Sequence, residues 1–425
     1  MTEDARNNDK LSPDAQLLDE LLGVAARKPG KAAELPAVVR VIESLEAAGG
    51  ADFPIFPASY AGVSDNDPPV YDLFGIEYGD VDETIRGKGK TTVQRRQILR
   101  AERCAIDSPQ SQANRTEVAF DDDAELRSLV PQGIASIPRS DGNPATESLL
   151  RLPHRVGDFR VRLSDKQSEV RAAINSFASG DCLPLLRMMP TSVVFGFWDS
   201  RGEQGHKHAR ILLSRIDAFD VVPCRRHALY SGPYSKDEFA AAVLDKATAE
   251  KSEGDAMSEK GFTNAPAEGL GGVLVEGRVE RLSLISLTDI ARLNCRAEGK
   301  VDDPLTEAAR RYVFALAALG EAYPRSTGSH RLRSGCELIN TAPPAIELRG
   351  AQFPRAGEFM ELYGDRKRLS EVAKHAMILL NIPSEAGTFI VSKEALQKEM
   401  KSSALAGMPA ADVQPSTKKA RKRSK

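Results

Sequence analysis

The sequence predicts an α+β fold built around antiparallel sheet. Helical and strand patterns are interspersed along the chain, as they are in α+β proteins. Two stretches read as β-hairpins, one over Thr191–Val222 with a polar turn at Asp199–Lys207 and one over Leu270–Ile285 with a turn at Glu276 and Gly277. Because a hairpin joins antiparallel strands, these stretches argue against a doubly wound parallel sheet.

Residue patterns and chain breakers assign the remaining elements. Helices are predicted over 14–29, Pro36–Ala48, Gln94–Arg103, Ser111–Phe120, Lys166–Phe177, Lys236–Ala249, Leu305–Leu319 and Leu369–Leu380. A strand is predicted over Val70–Ile76 and extended chain over Pro153–Leu163. Residues 250–268 have the composition of a linker or mobile insertion, and residues 132–147 and 324–335 that of loops.

The composition is that of a globular chain without membrane segments. It has 425 residues, 58 Lys+Arg against 60 Asp+Glu and 41% hydrophobic residues, and this length suggests two or three domains or one large elaborated domain. The longest apolar runs, such as Val313–Leu319, fall far short of the roughly 18 residues that a membrane span needs. Five scattered cysteines and an N-terminus without a signal-peptide pattern predict a cytoplasmic protein. The net charge of −2 excludes a uniformly basic nucleic-acid binder, so such a function requires local patches.

Three basic patches stand out from this neutral background. Between Arg86 and Arg115 there are eight Lys or Arg residues and two acids, and between Arg325 and Arg333 there are three arginines and no acid. The third patch surrounds the first hairpin and contains Arg201, Lys207, Arg210, Arg215, Arg225 and Arg226. Phosphodiester backbones bind such clusters because each neutralised phosphate releases condensed counterions. The patches predict nucleic-acid binding; solvated helix faces or ion pairs between subunits are the alternative.

The sequence contains no familiar catalytic or nucleotide-binding motif. GxSxG, GxxxxGK[ST] and GxGxxG are absent, and Gly87–Thr91 lacks the first glycine and the preceding strand of a phosphate loop. The zinc-capable residues His206, His208, Cys224 and His227 lie within 22 residues, but the two pairs fall at opposite ends of the predicted hairpin and need not converge. No cofactor or metal is therefore expected, while a zinc-stabilised interaction module stays an alternative.

Several strings of the sequence resemble one protein family. DSPQSQANR over Asp107–Arg115, followed by Glu117, resembles a signature of the CRISPR-associated RAMP backbone subunit of type I-G (formerly I-U) Cascade complexes. Segments similar to other parts of that family are Pro153–Asp158, Phe195–Arg201, Gly271–Val273 and Leu332–Cys336. The resemblance covers roughly residues 55–340, and the long DSPQSQANR string carries most of its specificity.

The resemblance implies an RRM-like (ferredoxin-like) RAMP core with an antiparallel sheet, large insertions and a hand-like shape. We expect an N-terminal helical segment over 1–50, the RAMP domain over 51–385 with its mobile insertion near 250–268, and a C-terminal segment over 386–425 with a basic disordered tail. Copies of such a subunit multimerise along a CRISPR guide RNA in an antiviral surveillance complex. The implied partners are the guide RNA, complementary target DNA through the guide, further copies of the chain, and the guide-processing and capping subunit and large subunit of Cascade. No active site, cofactor or membrane contact is implied.

A subunit that holds any guide sequence should contact phosphates and 2′-hydroxyls rather than base edges. The candidate RNA-binding side chains are cationic or carry amides, and lie in the basic patches or the strings above: Arg86, Lys88, Lys90, Arg95, Arg96, Arg100, Gln110, Gln112, Asn114, Arg115, Arg155, Arg201, His206, Lys207, Arg210, Arg331 and Arg333. Asp107, Asp158 and Asp199 are expected to orient these arginines rather than to catalyse. A helix cap and buried polar network is the alternative for Gln110, Gln112, Asn114 and Arg115, and contact with a neighbouring copy is the alternative for Arg331 and Arg333.

Two further expectations concern the first hairpin. Asp199 supports an alternative in which the chain is an RNA-cleaving subunit that uses a loop aspartate with metal, as backbone subunits of the type III branch do. The aromatic residues Phe195, Phe197 and Trp198 lie in an apolar run, so we expect them to pack in the core rather than to stack on bases.

Overall fold

A computed structural model describes residues 11–28, 30–61, 69–86, 90–200, 205–230 and 265–402, with side chains except at 81–96, 226–230, 265–268 and 400–402. Within them the helices α1 to α13 are, in chain order, Pro13–Leu22, Pro109–Glu117, Ala119–Asp122, Ala124–Arg127, Phe159–Arg162, Gln167–Ala178, Leu183–Met188, Pro190–Phe195, Leu287–Ile290, Asp303–Ser326, Ala356–Gly364, Arg366–Leu380 and Lys393–Ser402. The strands β1 to β18 are Val38–Ala47, Ser59–Tyr60, Val70–Tyr71, Leu73–Arg86, Lys90–Asp107, Gln132–Ile137, Ala145–Ser148, Phe197–Trp198, Lys207–His208, Leu212–Tyr230, Ala265–Val275, Val279–Ser286, Arg296–Ala297, Lys300–Val301, His330–Arg333, Cys336–Asn340, Ala345–Arg349 and Glu385–Ile390.

A large antiparallel sheet organises the described chain. Its strand order is β15-β16-β1-β12-β10-β5-β4, with β17 also paired to β1 and β11 to β10. This confirms the prediction of a mixed fold with antiparallel sheet. The helix predicted over Pro36–Ala48 is wrong, because β1 occupies this segment and pairs with β12 from Val38↔Ser286 to Leu45↔Val279. Its β-branched residues and its alternating burial both suit a strand.

β4 and β5 form a long hairpin that contains much of the first basic patch. The two strands pair from Leu73↔Cys104 out to Arg86↔Lys90. The helix predicted over Gln94–Arg103 is therefore wrong, since these residues lie inside β5. Hydrogen bonds to the adjacent strand β4 decide the conformation here, because the polar residues of this segment give only a weak local preference for a strand.

β10 pairs with two strands that follow one another in the chain. Its first part, Leu212–Ala218, bonds to β12, and its second part, Val221–Tyr230, bonds to β11. The second predicted hairpin, Leu270–Ile285, is therefore wrong in its pairing, because both of its strands bond to β10. The helix predicted over Lys236–Ala249, most of the insertion near 250–268 and the basic tail lie outside the described residues.

The segments around β8 are helical where strand or extended chain was expected. α8 has Pro190 in its first turn and is buried throughout, so only Phe197 and Trp198 of the predicted strand Thr191–Trp198 are extended. A short run that is apolar on every side suits a buried helix as well as a buried strand. The extended chain predicted over Pro153–Leu163 is also wrong, because a 3-10 turn and α5 occupy it.

The other helical predictions are confirmed with small shifts of their ends. α1, α2, α6, α10 and α12 correspond to the helices predicted near 14–29, Ser111–Phe120, Lys166–Phe177, Leu305–Leu319 and Leu369–Leu380. The predicted strand Val70–Ile76 falls within β3 and β4. Residues 132–147 and 324–335, which were expected to be loops, also contain the strands β6 and β15.

Two hydrophobic cores lie against the sheet and are separated by buried polar side chains. The larger core packs α1, α10, α12 and other helices against Val39 and Val41 of β1, and the smaller core includes Leu45 of the same strand. Between them, Glu43 and Arg281 are fully buried and lie opposite each other across β1 and β12. The described helices include none with the length and apolar surface required to cross a bilayer. The domain boundaries at residues 50 and 385 stay predictions, although α1 and β1 both pack into these cores.

Gly272 of β11 occupies a position that requires glycine. Its φ is +90°, and a Cβ at this site would lie 2.8 Å from the carbonyl oxygen of Ile55. We expect Gly272→Ala to lower the free energy of unfolding by about 1–3 kcal/mol, measured by denaturant titration. Gly269→Ala is the matched control, because the added Cβ would meet no atom within 4 Å and Gly269 lies outside the left-handed region. Equal losses in the two variants would contradict this account.

Candidate nucleic-acid interface

The segment Asp107–Glu117 connects the sheet to the helices. β5 ends at Asp107, and the side chain of Ser108 caps α2 by accepting a hydrogen bond from the N–H of Ser111 at 3.3 Å. Pro109 occupies the first turn, where a missing N–H costs no helical hydrogen bond. The polar side chains of α2 therefore project from a short capped helix at the end of β5.

Asp107 is a buried carboxylate that holds three of the candidate RNA-binding side chains. Its Oδ1 accepts a hydrogen bond from Arg333 at 2.8 Å, and its Oδ2 accepts one from Gln112 at 2.7 Å. The Nε of Arg115 lies 3.3 Å from the same Oδ2. Asp107 thus orients arginines as expected. Gln112 is buried by these contacts and Arg333 is half-buried, whereas Arg115 keeps an exposed guanidinium.

An open cleft of about 300 Å³ lies between α2, the end of α10 and β15. Arg115 and Arg331 both line it, and the buried residues Gln112 and His330 form part of its wall. Arg331 is exposed, and among the described residues its side chain has no hydrogen-bond or ion-pair partner. Both guanidinium groups are exposed in one open cleft, although the Nε of Arg115 also faces Asp107, and such groups are suited to contact with the phosphates of a single strand. We refer to this feature as the Arg115–Arg331 cleft.

Arg155 is buried and ties α2 to α8. Its Nε lies 2.7 Å from Glu117, and its terminal nitrogens donate to Asn114 at 3.0 Å and to the carbonyl of Gly196 at 3.3 Å. The side chain is only 4% exposed. Burial raises the pKa of Glu117, against the opposing influence of Arg155. In the isolated chain, Arg155 and Asn114 therefore hold the fold together and offer little surface to a ligand.

β8 and β9 form a short ladder with different inner and outer faces. Phe197 is paired with His208 and Trp198 with Lys207. Phe197 is buried and Phe195 of α8 is buried, as predicted, but Trp198 is 61% exposed. The expectation that Trp198 packs in the core is therefore wrong. Neighbouring residues of a strand point to opposite faces, so burial of Phe197 turns Trp198 outward.

The zinc-capable residues of this region have separate surroundings. The imidazole of His208 lies 2.9 Å from the carbonyl oxygen of Val193, and burial lowers its pKa. Cys224 lies on β10 next to the carbonyl of Val222, and the side chain of His227 is outside the described part. Across the described residues, no three His, Cys, Asp or Glu side chains converge as metal ligands would.

Asp199 and His206 lie opposite each other at the end of the same ladder. The N–H of Asp199 donates to the carbonyl of His206 at 2.8 Å. Asp199 is buried, and among the described residues its Oδ1 and the Nε2 of His206 lack hydrogen-bond partners. Arg210 is half-buried and lies two residues beyond β9. Burial lowers the pKa of its guanidinium, and the nearby charge of Arg155 lowers it further. Among the described residues Asp199 holds no arginine. Asp158 holds Arg160 at 2.8 Å, which is not one of the candidate RNA-binding arginines.

The remaining candidates lie on the β4–β5 hairpin or outside the described residues. The backbones of Arg86, Lys90, Arg95 and Arg96 are on its strands, but their side chains are not described. Arg100 is exposed and forms an ion pair with Glu276. Gln110 is exposed on α2, and Lys88 and Arg201 lie outside the described part. The structure therefore brings Gln112, Arg115, Arg331 and Arg333 together, and a second group forms around Arg155 and the β8–β9 ladder.

Comparison with known proteins gives a class for this fold and interface. Residues 39–223, a little under half of the chain, match the family described as CRISPR-associated protein GSU0053 (Cas_GSU0053). The match begins in β1, includes Asp107–Glu117 and the β8–β9 ladder, and ends in β10. No curated protein matches the chain. The chain is thus a CRISPR-associated protein, and over the matched residues it is similar to the family Cas_GSU0053.

Proposed function

We propose that this protein is a non-catalytic backbone subunit of a type I Cascade surveillance complex, of subtype I-G. It binds CRISPR guide RNA without reading its sequence, multimerises along it and presents it to complementary foreign DNA. Its partners are further copies of the chain, the guide-processing and capping subunit and the large subunit. The match of residues 39–223 to a CRISPR-associated family carries this proposal.

The order of the central strands supports an RRM-like RAMP core. Among the described strands, β16, β1, β12 and β10 lie side by side and antiparallel. The chain runs from β1 through α2–α8 to β10, on to β12, and through α10 to β16. Numbered along the chain, these four strands have the order 4-1-3-2 with two helical crossovers, which is the βαββαβ arrangement of ferredoxin-like folds. The β4–β5 hairpin and the β10–β11 extension are then insertions on this core.

The exposed cations support contact with a phosphodiester backbone. Arg115 and Arg331 line one cleft, and Lys207 is exposed on the β8–β9 ladder. Guanidinium and ammonium groups bind phosphate irrespective of base sequence, as a subunit that accepts every guide requires. Arg155 and Arg333 are bonded within the fold and would act by holding this surface in place.

The decisive experiment is to purify the protein from cells that carry its neighbouring genes and to sequence the RNA that copurifies. We expect RNAs of one length class with varied internal sequences and shared end sequences, because a guide consists of a variable spacer with constant flanks. Recovery of no RNA, or of unselected cellular RNA, would contradict the proposal.

An RNA-cleaving subunit is the competing function. Asp199 is buried, at 8% exposure, and across the described residues it belongs to no group of three potential metal ligands. A catalytic aspartate needs access to the scissile phosphate, so this burial favours the non-catalytic proposal. Incubating the purified complex with labelled complementary RNA and Mg²⁺ should leave the RNA intact. Cleavage that disappears in Asp199→Ala would establish the competing function instead.

A further inference from the structure

Trp198 is the only tryptophan of the chain, and it projects into solvent. The inner face of the β8–β9 ladder contains Phe197 and His208, whose rings both contact Phe177. Trp198 and Lys207 form the outer face, with the Lys207 Nζ 5.8 Å from the centre of the indole ring. The packing of the ladder therefore rests on its inner face, and within the described part of the chain no core contact accounts for the indole on the outer face.

A second exposed aromatic side chain with a neighbouring cation lies on an adjoining segment. The backbone of Trp198 packs closely against Gly157, where an added Cβ would lie 2.7 Å from the Trp198 carbonyl oxygen. Two residues further on, Phe159 is 42% exposed and has the guanidinium of Arg160 5.6 Å from its ring centre. Each of these two exposed rings therefore has a cationic side chain beside it.

We propose that Trp198 and Lys207 form a stacking site for one unpaired nucleobase of the bound RNA, with the Lys207 ammonium close to a neighbouring phosphate. This inference rests on the proposed function and names a contact that it leaves open. Every nucleobase has a π-face, so stacking on an indole tolerates any sequence. The ammonium supplies the charge that a backbone phosphate requires. The site would complement the Arg115–Arg331 cleft, which offers two guanidinium groups.

The single tryptophan provides a direct measurement of this contact. Single-stranded oligouridine is titrated into the full-length protein, and indole emission is recorded together with the anisotropy of a label on the RNA. We expect quenching of the emission that follows the binding curve from anisotropy. Binding with unchanged emission would overturn the stacking site and leave the proposed function standing. Absence of any RNA binding would instead overturn the proposed function and this inference with it.

A comparison with abasic RNA separates base stacking from general weakening. Trp198→Ala should weaken oligouridine binding about tenfold, and Trp198→Phe should weaken it less, because a ring is retained. An abasic strand of equal length keeps the phosphates but has no base to stack, so Trp198→Ala should leave its affinity unchanged. An equal loss on both strands, or no loss on oligouridine, would overturn the site.

A matched control and one competing occupant complete the test. Ile378→Ala removes an exposed apolar side chain from α12, 76% exposed, and should leave both affinities unchanged. If the indole emission changes with protein concentration in the absence of RNA and does not respond to RNA, Trp198 contacts a second protein chain. That result would also overturn the proposal.

Discussion

Replacing Arg281 with methionine is expected to lower the free energy of unfolding by about 3–5 kcal/mol, because it leaves buried carboxylates without their partner. Arg281 is fully buried between two acids. Its NH1 donates to Glu43, and to Glu321 at 3.0 Å, while its Nε donates to Gln112 at 3.2 Å. Arg325 bridges the same two carboxylates at 2.6 and 2.8 Å. With Arg281 removed, one guanidinium would have to compensate two carboxylates in a region of low dielectric constant.

The control for this variant is Arg292→Met. Arg292 is 80% exposed and forms an ion pair with Asp289 in the adjacent turn. An exposed pair of this kind contributes about 0–1 kcal/mol, so the same chemical change should have little effect. Both variants are compared by denaturant unfolding. Similar losses at the two positions would show that the buried network does not carry the stability assigned to it.

A double variant tests the assigned cause directly. In the Arg281→Met background, Glu43→Gln should cost less than it does alone, because it neutralises a carboxylate that has lost its partner. The two substitutions should therefore be strongly non-additive. Strict additivity would mean that Arg281 stabilises the protein through its packing and not through Glu43.

The pH dependence of stability follows from the same network. Burial alone would raise the pKa of Glu43, but Arg281, His330 and Arg325 outweigh it and hold the pKa well below its usual range. Below about pH 5, the unfolded state therefore binds more protons at this position than the native state, and stability falls as the pH falls. The difference in stability between the native protein and Arg281→Met should accordingly shrink on acidification.

The second large effect is expected on RNA binding when the Arg115–Arg331 cleft loses its charge. Arg115→Gln combined with Arg331→Gln should weaken single-stranded RNA binding about 100-fold at low salt, since each lost charged contact accounts for roughly one factor of ten. Glutamine is chosen at position 115 because a glutamate would place a second carboxylate beside buried Asp107. Both guanidinium groups are exposed, so the double variant should fold normally.

Salt dependence distinguishes specific phosphate contacts from a general charge effect. Loss of two contacts should reduce the slope of log affinity against log salt by about 1.4, which corresponds to about 0.7 per phosphate on a single strand. Arg292→Gln combined with Arg349→Gln changes the net charge equally at exposed positions that do not line the cleft. Equal losses in the two double variants would remove the cleft from the binding surface.

The local sequence was sufficient to predict an element where the segment itself contains the pattern or capping residues of that element. Helices with a strong apolar stripe, such as α10 and α12, were predicted correctly, and the cap Ser108 with Pro109 marks the start of α2. The DSPQSQANR string indicated a CRISPR-associated protein, which the comparison over residues 39–223 confirms. These features depend on residues within one or two helical turns of each other.

Tertiary partners decided the elements whose local signal is ambiguous. β1 contains apolar residues that suit a helix or a strand, and only its pairing with β12 resolves the choice. β5 is polar, and its conformation follows from β4. Trp198 faces solvent because its neighbour Phe197 packs inward.

The sequence showed where the arginines cluster, but it could not show which of their side chains form ion pairs within the fold and which face solvent. Arg155 is paired with Glu117 and Arg333 with Asp107, both distant in sequence, whereas Arg331 faces an open cleft. A guanidinium has the same charge and reach in either setting. Whether it contacts a carboxylate or solvent depends on which elements the fold packs beside it. The residues next to it in sequence do not determine those neighbours.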